Sequence, residues 1–255
     1  MKDLFSLQGR TALVTGGSRG IGRMIATGLL SHGAKVYISS RKAEACDQTA
    51  RELSALGPCI SLPADVSTVA GAQGLAAAFA ALEPALDILV NNAGAAWGES
   101  FDTFPEKGWD KVMDLNLKSP FFLTQALHEQ LRTAARTRPA KVINVASIDG
   151  VSVNPLETYS YAASKAGLIH LIKRMSLRLV QDNIVVSGIA PGAFASEMNK
   201  VARDHAQETA QRIPSGRIGV DEDMAGVAVY LASRAGDYVV GQTIVVDGGV
   251  TLARG

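Results

Sequence analysis

Apolar residues in this 255-residue chain gather in short runs at 11–15, 35–39, 60–64, 87–90, 141–146, 184–189 and 243–246. Longer stretches with helical spacing separate them, at 21–31, 44–56, 68–82, 109–132, 158–179 and 224–231. The short runs are nearly continuous rather than alternating, the pattern of strands buried on both faces. Seven buried strands alternating with helices predict an α/β Rossmann fold, with a parallel, doubly wound sheet and helices on both faces. No linker, repeat or low-complexity tract interrupts the pattern, so residues 1–255 read as a single domain. The least patterned stretch, 193–217, suits a mobile segment over a pocket.

Composition narrows the class of partner. The chain is 47% hydrophobic, ample for a large core, and its formal net charge of +1 gives no global reason to bind nucleic acid or a membrane surface. No apolar run approaches the ~18 residues of a membrane span, and the N-terminal residues lack the basic start and apolar stretch of a secretory signal. Cys46 and Cys59 are too few for a disulfide framework or a structural zinc site. They read as reduced thiols, which suits the cytoplasm. The four histidines form no ligand motif, so no metal is expected.

The first candidate site follows the first strand: Gly16-Gly17-Ser18-Arg19-Gly20-Ile21-Gly22, leading into a helix. Glycines let backbone approach a ligand, and the helix N-terminus offers free N–H groups to a pyrophosphate. One glycine would serve a plain strand-to-helix turn; four in seven residues favour a dinucleotide. The second strand ends in Ser39-Ser40-Arg41, with no carboxylate for a ribose hydroxyl. Arg19 and Arg41 suit a 2′-phosphate, because a guanidinium matches phosphate in a bidentate fork. NADP(H) is therefore expected in preference to NAD(H).

The second candidate site is Tyr161-Ala162-Ala163-Ser164-Lys165. Residues four apart on a helix share a face, and a cation beside a phenol favours the phenolate. A Tyr–Lys pair at this spacing is common on surfaces, but Ser147 after the fifth strand and Asn116 within a packed helical stretch accompany it. Tyr159 has Ala163 rather than a lysine four residues on, and reads as a pocket wall.

Taken in order, the glycine turn, Asp65-Val66, Asn91-Asn92-Ala93-Gly94, Asn116, Ser147, Tyr161 with Lys165, Pro191-Gly192 and Val246-Asp247-Gly248-Gly249 resemble the short-chain dehydrogenase/reductase family over essentially the whole chain. The resemblance implies that Tyr161 is the proton donor, Ser147 a second donor to the carbonyl oxygen, and Lys165 a ligand of the nicotinamide ribose that lowers the Tyr161 pKa. Asn116 would hold a relay water. Asp65 and Val66 would meet the adenine, Asn92, Ala93 and Gly94 the adenosine ribose, and Pro191, Gly192 and Ser196 the nicotinamide.

Within the family the chain resembles the 3-ketoacyl reductases, with Trp97-Gly98 after the asparagine turn and fourteen positions from Ser147 to Tyr161. This implies an NADPH-dependent reductase of 3-oxoacyl thioesters on acyl carrier protein or coenzyme A, in a homotetramer joined through 109–132 and 158–179. Arg138 stands where some relatives dock the carrier protein, but Asp182 replaces the second basic residue. Apolar wall candidates, among them Ala95, Ala96, Trp97, Ile148, Val153, Ala193, Phe194 and Met198, favour an acyl chain over a sugar; Asp149 is the exception. An NAD(P)-dependent alcohol or polyol dehydrogenase and a non-catalytic NADP(H) sensor are the alternatives.

Overall fold

A computed structural model of the chain describes residues 3–196 and 204–253. Seven strands form one sheet: β1 (Thr11–Thr15), β2 (Lys35–Ser39), β3 (Cys59–Ser61), β4 (Ile88–Asn91), β5 (Ala140–Val145), β6 (Ile184–Pro191) and β7 (Thr243–Val246). Their order is β3-β2-β1-β4-β5-β6-β7, and every pairing is parallel. The helices that position the site are α1 (Gly20–Ser31), α2 (Ala43–Leu53), α3 (Val69–Ala80), α4 (Glu106–Met113), α5 (Ser119–Ala126), α6 (His128–Ala135), α7 (Tyr159–Leu179) and α8 (Asp221–Ala232).

Side chains alternate across each strand, and helices cover both faces. Ala12 and Val14 of β1 enter one core with Ile38, Leu29 and Met224, while Leu13 enters the other with Tyr37, Phe79 and Leu89. That double burial explains why the strand sequences are continuously apolar. The two edge strands depart from the expectation of full burial: β3 and β7 are half-buried, with Val245 among the exposed apolar residues. Chain direction across the sheet switches between β1 and β4, and such a switch opens a crevice beyond the carboxyl ends of the strands.

Two predicted elements change form. The strand expected over 60–64 ends at Ser61, although Leu62 N still donates to Ile38 O (2.9 Å). Ala64 N likewise donates to Ser40 O (3.1 Å), and Pro63 between them, with no N–H, is tolerated because its nitrogen faces the open edge. The single helix expected over 109–132 is α4, a wide π turn at Asp114–Lys118, α5, and then α6 after a break at Leu127. Pro120 has no N–H to give the Asn116 carbonyl, which disfavours the ordinary turn there.

Of the stretch 193–217, residues 197–203, including Met198, lie outside the described residues. Phe194 is buried, pairs with Gly219 and lays its ring against it.

Charged residues collect at the opposite, amino-terminal edge of the sheet. Arg138 donates to Gly9 O (2.6 Å) and to Asp87 Oδ1 (3.2 Å), and Asp182, beyond the end of α7, meets Arg178 (2.7 Å), His128 (3.1 Å) and Arg132 (3.8 Å). Both positions compared with carrier-protein docking therefore lie at the sheet edge away from Ser147 and Tyr161. Lys141, 1% exposed, pairs with Asp237 at 2.6 Å. Burial pulls the Lys141 ammonium below its usual range, and Asp237 opposes that. Removing one partner of a buried pair strands the other charge. Asp237→Ala is expected to lower the unfolding free energy by ~2–4 kcal/mol in urea titration. Adding Lys141→Met should restore most of the loss.

Candidate active site

The site begins where β1 leaves the sheet. Gly16 (φ 66°) and Gly20 (φ 52°) take left-handed backbone, which only glycine adopts without strain. A Cβ on Gly22 would lie 2.2 Å from Gly16 O and 2.5 Å from Asn92 Nδ2. The turn thus closes on α1 with no room for a side chain. Asn92 Nδ2 donates to Thr15 O (2.9 Å) and Gly16 O (3.3 Å), while Thr15 Oγ1 accepts from Asn92 N (3.0 Å) and Ala93 N (3.1 Å). Asn91 reaches the other way, donating to Asn144 Oδ1 (3.0 Å) and Thr124 Oγ1 (3.2 Å). The asparagine turn therefore ties β1, β4 and β5 together at the switch point.

Around this turn stand the other predicted cofactor residues. Arg19 caps α1 in extended backbone, and Arg41 follows Ser40 at the end of β2; both arginines are exposed. Thr49 Oγ1 on α2 donates to Ser18 O (2.9 Å), joining the turn that carries Arg19 to the helix that Arg41 and Lys42 lead into. Lys42 is a third basic residue at this corner that the sequence pattern did not single out. Asp65 accepts from Ser67 N (3.0 Å) beside buried Val66. Ser196 stands across from Gly20, whose Cβ would come within 3.2 Å of the serine Cβ. Pro191 closes β6, and Gly192 N donates to Val246 O (2.9 Å). Glycine cradle, helix N-terminus and basic corner together fit a dinucleotide with a phosphorylated ribose.

The chemical residues sit on β5, the π turn and α7. Ser147 leaves β5 and starts the turn Ile148–Gly150, its Oγ accepting from Asp149 N (3.2 Å). That turn lies directly on α7: a Cβ on Gly150 would stand 2.6 Å from the Lys165 carbonyl carbon. Ser147 is thereby brought beside Tyr161, near enough for its hydroxyl to favour the ionised phenol. Lys165 is buried, donates to Val145 O (2.8 Å) and lies 5.6 Å from the Tyr161 ring centroid. Asn116 accepts from Ala95 N (2.8 Å) and donates to Ala95 O (2.9 Å) and Ser164 Oγ (3.0 Å).

The electrostatics correct one expectation. Lys165 is expected from the sequence to lower the Tyr161 pKa, yet Tyr161 is pushed up to about 12. Burial is the main cause, the neighbouring Ser147 hydroxyl opposes it, and the Asp149 charge adds to it. Lys165 directs its hydrogen bond at Val145 rather than at the phenol, and burial brings its own pKa down to about 8.

Besides Lys42, the sequence pattern missed Ser164, Gly150 and the bonding role of Thr15. Ser164 is fully buried, receives the Asn116 amide and donates to Tyr161 O (2.7 Å); a small polar residue on the inward face of α7 was its only signal. Thr15 and Gly150 act through close approach, which spacing does not encode. Trp97, expected to line the pocket, packs against α4. Its ring covers Gly108, where a Cβ would lie 2.8 Å away, and Lys111 Nζ sits 5.1 Å from its centroid.

Comparison with known proteins agrees with this geometry. The family model described as enoyl-(acyl carrier protein) reductase matches residues 16–251. The rhamnolipids biosynthesis 3-oxoacyl-(acyl-carrier-protein) reductase of Pseudomonas aeruginosa is 48% identical over 256 residues, covering 99% of this chain and 100% of that protein. The 2-dehydro-3-deoxy-D-gluconate 5-dehydrogenase of Dickeya dadantii is 38% identical, with 99% of each chain covered. Among solved structures, the Pseudomonas aeruginosa RhlG/NADP active-site complex superposes with a TM-score of 0.95 at 47% identity, over 98% of this chain and 100% of that one. The chain belongs to the short-chain dehydrogenase/reductase family of oxidoreductases.

Proposed function

We propose that this chain is an NADPH-dependent reductase that converts 3-oxoacyl thioesters to their 3-hydroxyacyl products. The observation that carries the proposal is the group of buried Ser147, half-buried Tyr161 and buried Lys165 at the switch-point crevice, next to a glycine turn with two exposed arginines. Gly16, Ser18, Gly20, Ile21 and Gly22 would hold the pyrophosphate, and Arg19, Ser40 and Arg41 the 2′-phosphate. Asp65 and Val66 would hold the adenine, Asn92, Ala93 and Gly94 its ribose, and Pro191, Gly192 and Ser196 the nicotinamide. When bound, the nicotinamide supplies the hydride.

The chain's own residues manage the proton and the charge. A phenol with a pKa near 12 stays protonated at neutral pH, so Tyr161 is in its donor form. It gives its proton to the carbonyl oxygen as negative charge develops there. Ser147 already accepts from Asp149 N, which leaves its hydroxyl hydrogen to orient the same oxygen. Lys165 spends one donor on Val145 O and keeps two for ribose hydroxyls, while its charge offsets the phenolate that proton transfer leaves. Both amide hydrogens of Asn116 are engaged, so a relay water would rest on its main chain, and its side chain serves to fix Ala95.

Asp149 favours the uncharged 3-oxoacyl group over a sugar acid, because its carboxylate acts on Tyr161 through space and would repel a second anion. With Arg138 and Asp182 at the far sheet edge, a coenzyme A thioester is a better probe than the carrier protein. A cytoplasmic homotetramer joined through α4–α6 and α7 completes the proposal; among the described residues no helix is long and apolar enough to cross a membrane.

Three outcomes test it. Tyr161→Phe should lower kcat for acetoacetyl-CoA by ~10²–10⁴-fold, the range of a lost general acid, while NADPH binding followed by fluorescence stays intact. Arg41→Ala should weaken NADPH binding by ~10–100-fold and leave NADH almost unchanged, as expected for one hydrogen bond to a charged group. Because the free-enzyme pKa of Lys165 is lowered to about 8, its cationic form is present below that pH and lost above it, whereas Tyr161 stays protonated to about 12. The kcat/KM for reduction should therefore be flat near neutrality and fall on an alkaline limb near pH 8. A limb that persists unchanged in Lys165→Met would refute that origin.

A further inference from the structure

Large apolar side chains are normally buried or scattered singly on a surface, and a cluster of exposed ones marks a contact site. Such a cluster borders the catalytic loop. Phe101 is 74% exposed, and the segment between Ser147 and Tyr161 carries Val153 at 92% and Leu156 at 68%. The rings of Phe101 and Phe104 each meet Tyr159 edge to face at 5.7 Å. Aromatic rings on exposed loops lose contacts unless something fixes the loops, and here Glu157 does so. Its side chain accepts from Phe101 N (3.3 Å) and the Tyr159 hydroxyl (3.2 Å), and its backbone carbonyl accepts from Glu99 N (3.2 Å). One residue thus clasps the loop after β4 to the loop that joins Ser147 to Tyr161.

We propose that this clasped aromatic shelf carries the distal part of the substrate's acyl chain and sets the preferred chain length. The inference rests on the 3-oxoacyl function above and names the subsite of that substrate. Two observations select a hydrocarbon tail as the occupant. The shelf is built in part on the loop that joins Ser147 to Tyr161, so it borders the residues that would hold the carbonyl. Its rim carries Glu99, Asp102 and Glu157, which repel the anionic phosphates of a coenzyme A or carrier headgroup and leave the neutral tail as the end that fits. The headgroup then leaves by another side of the crevice. Glu157 is a positioning residue: it holds the rings and touches no reacting atom.

The test compares NADPH oxidation with 3-oxobutanoyl-CoA and 3-oxodecanoyl-CoA in wild-type protein, Phe101→Ser, Glu157→Ala and Glu157→Gln. Phe101 is exposed, so its replacement is not expected to impair folding. Wild-type kcat/KM should rise with chain length. Phe101→Ser should lose ~10-fold or more for the ten-carbon substrate, about the worth of one large apolar contact, and stay within ~2-fold for the four-carbon one. Glu157→Ala should show the same length-selective loss, carried by KM rather than kcat, and Glu157→Gln, which keeps an acceptor oxygen, should recover it.

Equal losses for both substrates, or none, would overturn the shelf while leaving the 3-oxoacyl function standing. A change in oligomeric mass by light scattering, with an unaltered length profile, would make the patch a contact between copies and equally overturn it. Wild-type protein that turns over neither thioester would defeat the function itself, and the shelf with it.

Discussion

A side chain on Gly22 would have to share space with the Gly16 carbonyl, and the rest of the site depends on that close approach. It keeps the first turn tight against α1 and lets Asn92 reach the Thr15 and Gly16 carbonyls. Thr15 in turn holds the Asn92 and Ala93 amides. The switch point between β1 and β4 is therefore fixed by short polar bonds at a place where both strand faces are already covered by core. A cofactor cradle of backbone amides keeps its shape only if the backbone around it is held in this way.

A second set of contacts carries that order to the chemistry. The π turn lets Asn116 aim its amide at Ala95, just past the asparagine turn, and at Ser164 on α7. Gly150 lets the turn after Ser147 rest on the backbone of Lys165. Three elements distant in sequence thus converge on one phenol and one ammonium. Burial is the price of that precision: it raises the Tyr161 pKa and lowers that of Lys165, the opposite of what a solvated Tyr–Lys pair would do. A protonated donor beside a cation that is readily discharged suits reduction near neutral pH.

The two edges of the sheet have divided their work. At the carboxyl edge, glycines, hydroxyls and amides leave space and unspent donors. At the amino edge, Arg138 pairs with Asp87 and a backbone carbonyl, Lys141 with Asp237, and Asp182 with Arg178. Similarity to proteins named as 3-oxoacyl reductases and as gluconate-type dehydrogenases shows that one scaffold serves different carbonyls. In this chain the loops 95–104 and 148–158 beside the site carry aromatic rings and carboxylates.

Sequence by itself determined the strand-and-helix alternation, because strands buried on both faces must be apolar at every position. It also nominated the proposed residue set, from the glycine turn to Tyr161 and Lys165, because carbonyl reduction with a dinucleotide would need particular side chains in a particular chain order. Tertiary structure alone decided what depends on approach rather than on spacing. The break of the 109–132 helix at Asn116, the seat of Trp97 on Gly108, and the roles of Thr15, Ser164 and Gly150 all arise from contacts between segments far apart in the chain. The same holds for the pKa values, since desolvation is a property of the packed interior, and a residue's burial is set by neighbours that its local sequence does not contain.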